Sequence, residues 1–200
     1  PEGTTLLEAA KLLRISIPTL CHHPLLKPSA ACRLCLVETK TKWGDELVPA
    51  CHTACREGMR VITNNQHVLG ARRLVLEVML ARWPNVPILR QYAEEVGLKE
   101  SRFTSVLKDE REDACVLCGL CVRACEELVG ASAISVAERG IQQHVATPFN
   151  LESEACIACG ACALVCPTAH IKFIPEDYRG RPPEFLLGPN TAIYMPTAQA

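Results

Sequence analysis

The sequence predicts an α+β chain of two small cysteine-rich domains joined by a helical segment. Three observations predict it. Thirteen cysteines in 200 residues fall into three clusters. The last two clusters share one spacing, C-x2-C-x2-C-x3-C, and such an internal repeat marks repeated supersecondary units. Between the first cluster and the repeat, residues 64–112 hold no cysteine and show helical rather than strand periodicity.

The elements follow in order. In "TTLLEAAKLL", Thr5 stands three residues before Glu8 and ahead of an apolar face. That is a capping box, and it predicts a helix over Leu6–Leu13. "RLCLVETK" and "MRVIT" are rich in β-branched residues between polar turns, so they predict strands. The intervening "TKWGDELV" predicts a hairpin turning near Gly44 and Asp45. Strands around a short helix make residues 1–63 a small α+β domain. From Asn64 or Asn65, each a suitable N-cap, "NNQHVLGARRLVLEVMLAR" predicts a helix. Its apolar face would be Val68, Ala71, Val75, Val78 and Met79, with Arg72, Arg73 and Glu77 toward another face. Trp83-Pro84 and Val86-Pro87 interrupt regular structure, since proline lacks an N–H and restricts its predecessor. Short helices over Ile88–Glu95 and Ser101–Leu107 complete a linker of residues 64–112. The repeat occupies residues 113–174. The proline-rich stretch "PEDYRGRPPEFLLGPN" predicts an extended tail over residues 175–200.

Composition excludes several function classes. Apolar residues make up 48% of the chain but aromatics only 4%, so a compact core would need metal or covalent staples. A net charge of −1 offers no nucleic-acid surface and no polybasic membrane patch. No apolar run reaches spanning length, so no direct membrane insertion is expected. The odd cysteine count and the C-x2-C grouping argue against secreted disulfides and for a reducing, cytoplasmic setting. The chain opens on Pro1 and closes on "YMPTAQA", so both ends are expected to be internal to a longer polypeptide.

The repeat carries the chemistry. Thiolates are soft ligands suited to iron and sulfide, and C-x2-C-x2-C lets three sulfurs converge from one tight loop. The fourth cysteine would stand at the start of a helix and face the other centre. Zinc also uses C-x2-C, but it does not account for four cysteines at this compressed spacing twice over. The runs "CVLCGLCVRACE" and "CIACGACALVCP" resemble the two-cluster bacterial-type ferredoxin family, whose pattern is C-x2-C-x2-C-x3-C-P. The second run matches fully, including Pro167, and the first departs only at Glu126. The resemblance implies that Cys115, Cys118, Cys121 and Cys166 hold one [4Fe–4S] cluster. Cys156, Cys159, Cys162 and Cys125 would hold the other.

The first cluster reads Cys21-x10-Cys32-x2-Cys35-x15-Cys51. With "ACRLCLVE" and "PACHTACREGMRVIT", it resembles the N-terminal [2Fe–2S] domain of the complex I large subunit, iron-only hydrogenases and NAD-linked hydrogenase and formate dehydrogenase diaphorases. The resemblance implies a β-grasp fold, one [2Fe–2S] cluster on Cys21, Cys32, Cys35 and Cys51, and further strands upstream of Pro1. Cys55 falls outside that set. It is either a packed free thiol or a substitute for Cys51; the former is favoured, since a reactive thiol needs an electropositive site. His22 and His23 adjoin Cys21 but, as neighbours, do not readily chelate one iron, so they are expected to be nearby donors or exposed. His52, His67, His144 and His170 lack ligand spacing and are expected to be structural.

In the same family, a further [4Fe–4S] site with one histidine and three cysteines follows this domain. Here Trp83-Pro84 stands where the family has His-Pro, and none of the cysteines follows. That cluster is expected to be absent, its space filled by Val86, Ile88, Leu89 and Val96. The chain shows no G-x-G-x-x-G fingerprint, P-loop or hydrolytic triad, so no nicotinamide, flavin or substrate site of its own is expected. The resemblance implies an electron-transfer subunit or domain that links a flavin/NAD(H)-binding subunit to a catalytic oxidoreductase subunit. Candidates for the latter are a hydrogenase, a formate dehydrogenase or a heterodisulfide-reductase-like unit. "GPNTAIYMPTAQA" resembles a segment of heterodisulfide-reductase-type flavoproteins, which adds electron bifurcation as a setting. The alternatives are a cluster-stapled interaction module, or the front of a fused enzyme whose active site lies past residue 200.

Overall fold

The computed structural model describes residues 3–42, 44–103 and 114–172. The predicted helix over Ser101–Leu107 falls outside the described residues from Thr104 on, and Ser101–Phe103 are not helical. The predicted tail over 175–200 lies wholly outside them. The chain forms two units, one of residues 3–22 and 27–103, the other of 23–26 and 114–172 among those described.

In the first unit, helix α1 spans Leu6–Leu12 and begins with the reciprocal box: Glu8 N–H donates to the Thr5 hydroxyl, and Thr5 N–H donates to the Glu8 carboxylate. Strands β1 (Leu36–Thr41), β2 (Gly44–Pro49) and β3 (Val61–Ile62) form an antiparallel sheet in the order β2-β1-β3. The hairpin turns two residues earlier than expected. Gly44 pairs with Thr41 and Asp45 with Lys40, so both lie in β2. The Lys40–Asp45 ion pair and the hydrogen bond from the Thr41 hydroxyl to the Gly44 carbonyl, 2.7 Å, hold that register.

Central β1 is buried on both faces. Val37 joins a core with Leu6, Leu7, Ala10, Ala50, Cys35 and Cys51. Glu38 has the opposite parity and takes bonds from Asn65 (3.1 Å) and His67 (2.7 Å) at the start of the next helix. Helix α2 spans Gln66–Arg82, capped by the Asn65 side chain on Val68 N–H. Its buried face corrects the sequence expectation. Val68, Arg72, Leu76, Glu77 and Leu80 are buried, whereas Val78 is exposed. Val68, Arg72, Leu76 and Leu80 advance four residues at a time, with Glu77 beside that row, and the two charged residues can be buried because each has a partner. Arg72 donates to the Leu36 carbonyl, and Glu77 receives a two-pronged contact from Arg102, at 2.9 and 2.6 Å.

That contact has a pH signature. The Arg102 hydrogen bond holds the Glu77 carboxyl below its ordinary value. A depressed acid stabilises the fold above its unfolded pKa, and that share is lost as pH falls through the folded value. Arg102→Ala should therefore lower the urea midpoint at neutral pH, and its effect should shrink as the pH falls through the folded value of the Glu77 carboxyl.

Helix α3 spans Pro87–Glu95, with Pro87 in the first turn, where its missing N–H costs nothing. Val86, Leu89, Ala93 and Leu98 are buried, and Ile88 and Val96 half-buried. Arg82 stacks over the Trp83 ring at 4.7 Å to its centroid, so a cation–aromatic contact occupies the position where the family has its histidine.

The second unit contains α4 (Leu120–Arg123), a π-helical turn (Ala124–Val129), a hairpin of β4 (Ser135–Ala137) and β5 (His144–Ala146), and α5 (Ala161–Leu164). Leu26, Leu120, Ala124 and Val165 form its core, with Cys118 packed against them. Among the described residues no helix is long and apolar enough to cross a membrane.

Candidate metal centres

The first unit gathers four buried cysteines. Cys21, Cys32, Cys35 and Cys51 are each at most 8% exposed, and bonds to main-chain groups hold the segments of Cys21, Cys35 and Cys51. Leu6 and Leu7 N–H, left free by the start of α1, donate to the carbonyls of Thr53 and Ala50, which frames the Cys51 loop. Tyr92 of α3 donates to the Thr19 carbonyl at 3.1 Å, two residues before Cys21. Arg72 of α2 bonds the carbonyl beside Cys35. The cysteine-free middle of the chain thus braces two of the cysteine loops.

Two pairs of sulfurs share polar contacts. Cys32 N–H donates to Cys21 Sγ at 3.3 Å. Contact with Cys32 and Ser29 and the amides of Cys32 and Ala31 pull the Cys21 thiol down to about 5, against burial. Ala30 and Arg33 flank that turn at φ 52° and 58°, the left-handed geometry that turns successive amides inward. Cys35 and Cys51 have sulfurs 3.3 Å apart. Contact with Cys51 lowers Cys35 to about 7, and the same contact raises Cys51. Cys55 stands apart from these pairs. It packs half-buried against the core, and its N–H donates to the Thr4 carbonyl at 2.8 Å.

In the second unit the repeat is visible in the backbone. Leu117 and Gly119 take φ 53° and 73°, and Ala158 and Gly160 take 57° and 82°. Each glycine caps its helix in the left-handed region, so the third cysteine of each run, Cys121 or Cys162, lies in the first turn. The helix therefore starts before the third cysteine, not at the fourth as expected. The runs then diverge. Pro167 disfavours helix at Cys166, and α5 stops at Leu164. Glu126 imposes no such stop, and Cys125 lies in the π-helical turn, which ends at left-handed Gly130. Ala131 N–H donates to the Cys125 carbonyl at 3.0 Å, and Ala133 N–H to its sulfur at 3.3 Å. Sequence reasoning had no handle on Ala133, because a backbone amide leaves no side-chain signature.

Cys125, Cys156, Cys159 and Cys162 line one pocket, otherwise walled by apolar groups such as Val129 and Ile134. Burial pushes Cys162 up to about 12, with the charges of Cys159, Cys156 and Cys125 adding to it. Burial likewise pushes Cys121 up to about 12, followed by the charges of Cys118 and Cys115. Val165, next to Cys166, packs with Leu120 and Ala124 beside Cys118. Each run thus meets the last cysteine, or its neighbour, of the other.

These arrangements suit clusters rather than single ions. All thirteen cysteines are free, and among the described residues no three His, Cys, Asp or Glu side chains converge on one metal position. Four thiols line the pocket, a soft donor set of the kind that holds an iron–sulfide core. Two histidines make local contacts: His23 Nδ1 accepts from Leu25 N–H at 3.3 Å, and His144 Nδ1 lies 2.8 Å from the Gln142 carbonyl.

Residues 1–66 match the 2Fe-2S iron-sulfur cluster binding domain family, and residues 114–170 the 4Fe-4S dicluster domain family. The NADP-reducing hydrogenase subunit HndD of Solidesulfovibrio fructosivorans is 34% identical, over 100% of this chain and 38% of its own length. A component of the NADH-quinone oxidoreductase of Rhizobium meliloti is 37% identical, over 90% of this chain and 23% of its own. A crystal structure of NAD+-reducing [NiFe]-hydrogenase in the H2-reduced state matches with a TM-score of 0.63 and 29% identity, covering 74% of this chain and 69% of that one. The chain spans well under half the length of these curated relatives. Its N-terminal region is thus a ferredoxin-like [2Fe–2S] cluster binding domain and its C-terminal region a 4Fe–4S dicluster domain for two [4Fe–4S] clusters, both homologous to regions of hydrogenase and NADH-oxidoreductase subunits.

Proposed function

We propose that this chain relays single electrons between a flavin/NAD(H)-binding subunit and a catalytic oxidoreductase subunit, in the cytoplasm, as part of a larger assembly for which electron bifurcation is one setting. In this reading Cys21, Cys32, Cys35 and Cys51 hold the [2Fe–2S] cluster within residues 1–63. Cys115, Cys118, Cys121 and Cys166 hold one [4Fe–4S] cluster, and Cys156, Cys159, Cys162 and Cys125 the other, within 113–174. Residues 64–112 are a linker without ligands, and 175–200 a tail available to a partner. The observation that carries the reading is the pocket where Cys125 joins the second run. When bound, the clusters supply the one-electron chemistry that side chains lack. The chain's own residues orient the thiols and exclude water with apolar walls. The Ala133 amide bonds the Cys125 sulfur, a contact of the kind that tunes potential.

The short span relative to its relatives favours a second reading, in which the relay is the front of a fused enzyme. Either way, iron analysis of the reconstituted protein should give about ten irons per chain, and reductive EPR titration one [2Fe–2S] and two [4Fe–4S] signals. Stoichiometric zinc, or clusters that no donor reduces, would leave a stapled scaffold instead.

A further inference from the structure

Arg72 is a buried cation set against a cysteine loop of the first centre. It lies in the second turn of α2 and is 5% exposed. Its Nε and Nη2 both donate to the Leu36 carbonyl, at 3.1 and 2.7 Å. Leu36 follows Cys35, which is fully buried. Among the described residues Arg72 makes no ion pair, unlike Glu38 and Glu77, whose charges are met directly. Burial pulls its pKa down, while charge on Cys35, then on Glu95, favours the cation.

A buried charge facing only a carbonyl is costly unless negative charge lies near. The carbonyl itself requires only an N–H, which a neutral amide would supply. Glu95 is one such charge, and the ligand set assigned above provides a larger one beside Cys35. Two ferric ions, two sulfides and four thiolates sum to a dianion, and one added electron makes a trianion. A fixed cation beside Cys35 therefore favours the reduced form over the oxidised one, since net charge and its surroundings set such potentials. We propose that Arg72 is a potential-setting residue of the [2Fe–2S] centre, its buried charge making that centre easier to reduce. One electron is taken up from a one-electron donor, dithionite in the test below; no bond is made or broken, and Arg72 keeps its proton because a guanidinium does not release it even when buried. The inference rests on the assignment of Cys21, Cys32, Cys35 and Cys51 as ligands.

The experiment is a dithionite titration monitored by EPR on the iron-loaded full chain, comparing wild type with Arg72→Gln and Arg72→Lys. Arg72→Gln should shift the [2Fe–2S] reduction equilibrium about tenfold toward the oxidised form, about 59 mV for one electron. Arg72→Lys should stay near wild type, and neither variant should move the [4Fe–4S] midpoints. Loss of the [2Fe–2S] signal in Arg72→Gln with retention in Arg72→Lys also supports a need for charge. A wild-type midpoint in Arg72→Gln, equal shifts in both variants, or loss of the signal in both would overturn the proposal in favour of a packing role. Absence of the [2Fe–2S] signal from wild type would instead refute the ligand assignment, and this inference with it.

Discussion

Cys51→Ala should abolish the [2Fe–2S] EPR signal and remove about two irons per chain, leaving both [4Fe–4S] signals intact. Cys55→Ala should leave all three signals and the iron content unchanged. The two cysteines are four residues apart, so the contrast tests the fold rather than the neighbourhood. Cys51 is 1% exposed, its sulfur is 3.3 Å from that of Cys35, and its loop is anchored by the first N–H groups of α1. Cys55 is committed through its backbone to Thr4, with its side chain against the core. Removing a half-buried thiol from that position costs packing, not a ligand. Loss of the signal in Cys55→Ala, with Cys51→Ala unaffected, would reassign the fourth ligand.

Cys125→Ala should empty the centre of the other run. The variant is expected to lose about four irons per chain and to show the same residual EPR spectrum as Cys156→Ala, not that of Cys115→Ala. The reason is spatial: Cys125 lies with Cys156, Cys159 and Cys162 around one pocket, and its charge acts on Cys162. A residual spectrum matching Cys115→Ala would mean that each run serves its own cluster. Comparing the three variants avoids relying on the number of irons alone, since partial loading lowers every count together.

Much of the local structure was legible because its causes are local. Thr5 and Glu8 are three residues apart, so their reciprocal capping could be read directly, as could Asn65 before Val68. Gly119 and Gly160, each after the second cysteine of its run, occupy the left-handed region there, a feature found in the structure. The β4–β5 hairpin was not legible. Its strands are three residues each and half exposed, too short for an alternating pattern to stand out.

The face of α2 marks the boundary most clearly. Periodicity turned Arg72 and Glu77 outward because they are charged, yet both are buried. Charge predicts exposure only while no partner is in view, and the partners are the Leu36 carbonyl and Arg102, 36 and 25 residues away. Sequence alone determined the cysteine groups, the family they resemble and the capped helices, since each depends on spacing along a few residues. Only the tertiary structure decided which sulfurs meet, that the cysteine-free middle braces the Cys21 and Cys35 loops, and that a cation lies buried beside one of them. Those depend on distances through space between segments that the chain keeps far apart.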